Sequence, residues 1–151
     1  MRSLLVTVAL FALAAGGYFG ARHWQESREL TALNEGIPCD LGEQTCVHPL
    51  PNGGKVSIAI SPRPVPLMQT VRVEVALTGS DALVSHLDIT GLNMDMGLNR
   101  VSLRSAADGT WEGETIIPVC SQRIMHWRAA LILRDGLERH LLQDHFFTHR
   151  P

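Results

Sequence analysis

From Lys55 onward, apolar and polar residues alternate in step. A chain with that period can bury one face of a pleated sheet, but it cannot build the apolar stripe of a helix. Val56, Ile58 and Ile60 alternate with Lys55, Ser57 and Ala59, and Val71, Val73, Val75 and Leu77 alternate with Arg72, Glu74 and Ala76. Further on, Leu83, Leu87 and Ile89 oppose His86 and Asp88, and Val101 and Leu103 oppose Arg100, Ser102 and Arg104. Trp111, Thr115 and Ile117 then oppose Glu112 and Glu114, and Met125, Trp127, Ala129, Leu131 and Leu133 oppose His126 and Arg128. Asp108-Gly109 and Asp135-Gly136 supply turns, the second placed to make a hairpin with the last strand. The last strand, Leu137 to Phe147, also scores as a short helix. The pattern predicts an all-β domain over residues 55–151, an immunoglobulin-like antiparallel β-sandwich of about seven strands.

Ahead of it lies a different kind of sequence. Ser3 to Ala21 is an uncharged stretch of 19 residues that ends at Arg22, His23 and Trp24. That length spans a bilayer, and Arg2 on the cytoplasmic side sends the rest of the chain outward. Residues 1–23 therefore read as an N-terminal membrane anchor, or as a signal segment cleaved at the Ala12-Leu13-Ala14 site. Either reading exports the domain, and the anchor puts it on the outer face of the inner (cytoplasmic) membrane, toward the periplasm or cell exterior. Residues 24–54 read as a spacer, charged at first and closing on His48-Pro49-Leu50-Pro51-Asn52-Gly53-Gly54, where Pro and Gly stop regular structure.

Export bears on the three cysteines, because an oxidising compartment favours disulfides. Cys39 and Cys46 flank the polar loop DLGEQT in a segment poor in apolar residues, so a disulfide between them is the expected staple. A metal-binding pair is the rival reading, at a spacing wider than a zinc hairpin uses. Cys120 is left odd.

Antiparallel strands alternate their loops between two ends. One end receives the loops near 62–69, 91–97 and 118–123, and the other those near 78–82, 105–110 and 134–136. The first set contains or borders Met68, Met94, Met96, Cys120, Met125 and His126, whereas the second contains no Met, Cys or His. Thioether and thiolate sulfurs favour Cu(I) over harder cations. Met94 and Met96 stand at i and i+2, on one side of an extended segment. Cys120 precedes Met125 and His126 by five and six residues. The candidate metal ligands are thus Met94, Met96, Cys120, Met125 and His126.

Packing competes with this reading at several positions. Met125 falls on the apolar face of its strand, and Met68 between Leu67 and Gln69 reads as packing. Cys120 also fits an inert buried thiol. His86 with Asp88 fits a ligand with its carboxylate support or, more simply, a solvated face. His140, His145 and His149 have no regular spacing and read as surface residues, with an accessory Cu(II) or zinc contact as the alternative.

Other functions are disfavoured. The 13 basic residues are scattered among 15 acids, so no basic stripe exists for nucleic acid or anionic lipid. No G-x-S-x-G, H-E-x-x-H, phosphate-cradling glycine loop or C-x-x-C is present, and no enzymatic activity is expected.

The membrane segment, the Pro-bearing strand opening ISPRPVPLM and the Met94, Met96, Gly97 element together resemble the FixH/YtkA-like group of exported immunoglobulin-like proteins. The likeness covers about residues 50–135. Asn93, Met94, Met96, Gly97, Asn99 and Arg100, followed by Pro118, Val119 and Cys120, are also similar to small membrane-anchored proteins that accompany Sco-type copper chaperones. The resemblance implies a role in assembling a respiratory (cytochrome) oxidase or supplying its copper, with the oxidase or a copper chaperone as partner. The C-x-x-x-C of Sco proteins and the spaced His and Met of cupredoxin-like chaperones are missing, which separates this chain from both. Two functions remain: a membrane-anchored module that binds Cu(I) at its Met/Cys end, and a metal-free accessory subunit that docks on a membrane complex through the same end.

Overall fold

The structure is a computed structural model that describes residues 13, 15–18, 30–34, 39–106 and 108–150. Two compact units divide the chain, Met1–Leu30 and Thr31–Pro151. In the first, the described residues 13 and 15–18 are helical and exposed. The remainder of the anchor or signal segment lies outside the described residues. No helix among the described residues is long and apolar enough to cross a membrane.

The other regular elements among the described residues are strands. The strands are β1 (Leu30–Ala32), β2 (Cys46–Pro49), β3 (Lys55–Ser61), β4 (Thr70–Thr78) and β5 (Leu83–Gly91). They continue with β6 (Asn99–Val101), β7 (Arg104–Ser105), β8 (Thr110–Ile116), β9 (Ile124–Asp135) and β10 (Glu138–His149). Two five-stranded sheets result, with orders β1-β10-β9-β5-β6 and β2-β3-β4-β8-β7. The pairings from β2 through β10 are antiparallel.

The described residues thus form ten strands where the alternation predicted about seven. The stretch around Val101 splits into β6 and β7 on different sheets, and the segment read as a spacer contributes β1 and β2. Leu41, Cys46 and Leu50 from that segment are buried in the core. Its polar sequence is held by specific bonds. The buried Asp144 carboxylate meets His48 Nε2 at 2.8 Å and accepts from the Cys39 amide at 3.2 Å. Leu41 N donates to His145 O, and His145 N donates to Cys39 O. Cys39 and Cys46 are disulfide-bonded, as the sequence predicted.

One continuous core fills the space between the sheets. The inward rows are the predicted apolar ones: Val56, Ile58 and Ile60 on β3, Val71, Val73 and Val75 on β4, and Trp127, Ala129, Leu131 and Leu133 on β9. Trp127 and Phe146 lie nearly parallel, with ring centroids 6.2 Å apart. The Trp127 indole N–H donates to Thr148 Oγ1 at 2.9 Å, which satisfies a buried donor that otherwise costs about 1–3 kcal/mol.

Two local departures have identifiable causes. On β5 the register shifts between Val84 and His86, so Val84 is buried while Leu83 is exposed. A bulge adds one residue to the strand and inverts the parity that placed Leu83 inward. β10 is a 12-residue strand and not a helix, because its whole length pairs with β9 and buries His140, Leu142, Asp144, Phe146 and Thr148. Its apolar spacing fits either period, and the long partner strand decides.

Candidate metal centre

Three loops meet at one end of the sandwich: 62–69 between β3 and β4, 92–98 between β5 and β6, and 117–123 between β8 and β9. Cross-bonds tie them together. Met68 N donates to Ile117 O, and Leu92 N to His126 O. The Asn93 side chain donates to Ile124 O at 2.9 Å and accepts from the His126 amide at 3.1 Å. Asn99 reaches Ile116 O at 3.0 Å.

This scaffold brings Met94 to Cys120. The Cys120 thiol donates to Met94 Sδ at 2.9 Å, and the Ser121 hydroxyl approaches the same sulfur at 3.6 Å. The Gln122 amide donates to Cys120 Sγ at 3.4 Å. Cys120 is buried, whereas Met94 is 38% exposed, so solvent reaches the pair from the methionine side. Two sulfurs bound to one ion at about 2.3 Å with a trigonal angle stand about 4 Å apart. Opening the pair by about 1 Å suffices, and the three rotatable bonds of Met94 supply that movement.

Gly91 explains how the 92–96 segment folds back. The Met94 carbonyl and the Met125 Cε lie against the Gly91 Cα where a side chain would project, the methyl 3.0 Å from an added Cβ. Met125 is buried on the inner face of β9. Its side chain thereby packs behind the segment that carries Met94.

The remaining predicted ligands go elsewhere. Residues 94–97 are not extended: Asp95 Oδ1 accepts from the Gly97 amide at 2.8 Å and Gly97 sits at φ +73°, so the chain turns. Positions i and i+2 then no longer share a side by strand geometry, and Met96 packs half-buried against the core. His126 follows Met125 on a strand, so it faces the other side of the sheet. Its ring stacks on Phe147 at 4.4 Å and meets the His145 ring edge-on at 5.2 Å. Burial, with a smaller contribution from His145, holds the His126 imidazolium below its ordinary pKa. Met68 is 63% exposed at φ +55° and is no packing residue.

The other His candidate is an ordinary ion cluster. Arg100 donates to both oxygens of Asp88, at 2.7 and 2.9 Å, and His86 Nε2 lies 3.5 Å from the same carboxylate. The Arg100 hydrogen bond is the main reason that Asp88 titrates below the usual carboxylate range. Burial, partly offset by Asp88, lowers the His86 pKa. A groove of about 670 Å³ lined by Arg72, Arg100, Arg104, Glu112 and Glu114 opens beside β6, β7 and β8, away from the sulfurs.

Sequence reasoning missed Asp40, His145 and Phe147 as neighbours of His126. A signal existed, because residues of a hairpin that lie equally far from its turn face each other. The Asp135-Gly136 turn therefore sets Phe147 opposite His126, and His145 two residues away on the same face. The approach of Asp40 comes from a distant segment and left no such trace.

Compared with protein-family models, the chain matches none, and no curated protein matches it. Among solved structures it is similar to a DUF4785 family protein from Legionella pneumophila, with 11% identity and a TM-score of 0.45. That similarity covers 61% of this chain and 27% of the Legionella protein, so the chain spans about a quarter of its length. The likeness to FixH/YtkA-like proteins accordingly rests on the motif residues alone.

Proposed function

We propose that this is an exported, membrane-anchored immunoglobulin-like module that binds Cu(I) between Cys120 and Met94 and supplies it to a respiratory oxidase or a copper chaperone. The observation that carries the metal reading is the 2.9 Å approach of a thiol to a thioether at a loop end open to solvent. Strand order supports the immunoglobulin-like assignment. β3-β4-β8-β7 follows the A-B-E-D order and β10-β9-β5-β6 the G-F-C-C′ order of such domains. The disulfide supports an oxidising compartment. The role proposed is binding, since Met94, with the Ser121 hydroxyl beside it, brings a soft thioether to the Cys120 thiol.

A second reading has its own observation. Leu92, Leu98, Ile116, Val119 and Ile124 are exposed around the sulfur pair, a surface that fits docking on a membrane complex without metal. Titration of the full chain with Cu(I) against a competing chelator, with Cys120 reduced and the disulfide intact, separates the two. One ion is expected, bound more tightly than Zn(II), with affinity falling as pH drops because protons compete for the thiolate. Cys120→Ser is expected to weaken Cu(I) binding roughly 100-fold and Met94→Leu about tenfold, while Met68→Leu changes nothing. Unchanged affinity in a folded Cys120→Ser, Met94→Leu double variant ends the metal reading in favour of docking.

A further inference from the structure

On the outer face of β9, behind the sulfur pair, two ring nitrogens are buried with no hydrogen-bond partner: His126 Nε2 and His145 Nδ1. A buried polar atom left unpaired costs about 1–3 kcal/mol, so each such atom calls for a partner, a water or an ion; a third, His140 Nδ1, lies apart from these two on the inward row of β10. The two rings are neighbours, 5.2 Å between centroids and 82° between planes, and Phe147 fixes the His126 ring by stacking on it. Asp40 Oδ2 lies 3.9 Å from His145 Nε2, within ion-pair range and longer than a hydrogen bond. A carboxylate beside one ring nitrogen of a histidine whose other nitrogen holds an ion is the usual arrangement around a protein-bound metal. Arg128 stands opposite His145 in the β9–β10 register, and its guanidinium donates to Thr90 Oγ1 at 3.3 Å.

We propose that His126 Nε2 and His145 Nδ1 form a second metal site, for a divalent transition-metal ion with Cu(II) preferred, and that Asp40 orients His145 within it. Imidazole suits Cu(II) and Zn(II) alike, and the general order of affinity puts Cu(II) first. The disulfide serves this site. It closes the loop that begins at Cys39, whose carbonyl accepts the His145 amide, and Asp40 is the next residue. Asp40 Oδ1 is already taken by the Gly42 amide at 2.8 Å, which leaves Oδ2 to face the imidazole. The nitrogen site does not depend on the sulfur site.

The test is titration of the full chain with Cu(II), supplied as its glycine complex, followed by electron paramagnetic resonance. Binding of one ion with coupling to two imidazole nitrogens is expected. His126→Gln and His145→Gln are each expected to lower affinity at least tenfold and Asp40→Asn roughly tenfold or more, whereas Met68→Leu leaves it unchanged. Zn(II) added to the unsubstituted protein tests the same point without any variant. It is expected to shift the ring-nitrogen resonances of His126 and His145 and to leave those of His86 and His140 in place. Cu(II) affinity that survives a folded His126→Gln, His145→Gln double variant, or that is lost in Cys120→Ser, overturns the proposal. So does a Zn(II) shift confined to other histidines.

Discussion

The two ends of the sandwich are built on opposite principles. At one end, tight connections close the strands. Asp108 and Gly109 both adopt positive φ, +58° and +73°, and two residues, Gly136 and Leu137, join β9 to β10. At the other end the three loops are long, cross-bonded to one another, and carry Met94, Cys120 and the exposed apolar side chains of Met68, Leu92, Leu98 and Val119. A two-residue turn spends all its conformational freedom on reversing the chain, so it has no side chain to aim at a ligand. Longer loops on a rigid scaffold can aim several. The difference teaches where to look on such a domain: the end whose sequence is hardest to assign a turn type is the end that holds chemistry.

The staple offers the strongest way to break this comparison. It belongs to the loop end, because Arg63 of the 62–69 loop donates to Leu41 O at 3.0 Å and Asp40 stands beside His145. Closing a short loop, with a sequence separation of seven, restricts the unfolded chain enough to stabilise by about 2–3 kcal/mol. Replacing both Cys39 and Cys46 by Ser is expected to cost that much in denaturant unfolding. It should also speed amide exchange at Leu41 and His145 well before Leu77, whose amide donates to Gly109 O at the turn end. Equal acceleration at both ends would show that the staple supports the whole sandwich and not one end.

A pair of glycines sharpens the contrast at smaller cost. Gly91→Ala puts a methyl into the Met94 carbonyl, so the 92–96 segment must move. Cu(I) affinity is expected to fall about tenfold, or about 1.4 kcal/mol. Gly109→Ala forces a side chain into positive φ and sets its Cβ 3.0 Å from Leu77 O, which is expected to cost about 1–2 kcal/mol of stability. It should leave metal affinity unchanged. Chelator competition and thermal unfolding on both variants decide it, and a loss of metal binding in Gly109→Ala would dissolve the distinction between the ends.

The same contrast divides what could be read from the sequence. Alternation placed Val71, Val73 and Val75 inward because one-sided burial and period two are the same fact. Asp108-Gly109 announced its turn because few residues tolerate positive φ. The bulge at Val84 left no signal, since an extra residue changes parity without changing composition. The order of residues 39–50 was hidden because it depends on Asp144, about a hundred residues away, accepting from His48 and Cys39. At the loop end, strand parity was enough to bring Met94 and Cys120 together. It was also enough to separate Met125 from His126, since adjacent strand residues face opposite sides; grouping both as ligands of one ion ignored that. The turn at Asp95 was the part parity could not supply, because it lies outside any strand.

The smallest expected effect lies on the outer face of the same sheet, away from the loop end, and concerns how a partnered histidine differs from an unpartnered one. His86 has Ser85 on Nδ1 at 3.0 Å and Asp88 near Nε2, whereas His126 Nε2 has neither. Burial lowers the His86 pKa from 6.5, and Asp88 opposes that shift. The unfolded chain therefore takes up a proton before the folded one does. Stability is unaffected by His86 above about pH 6.5 and declines as pH falls below it, until the folded value is passed. The slope stays below one proton for this residue. Asp88→Asn removes the opposing charge and leaves Arg100 unpaired beside the ring, so the folded His86 pKa is expected to drop further. The pH range in which stability declines then extends at its acid end. Nuclear magnetic resonance titration of the His86 ring in both proteins, free of metal, checks the sign. A His86 pKa above 6.5, or one that rises in Asp88→Asn, would show that the carboxylate and not burial governs this face of the sheet.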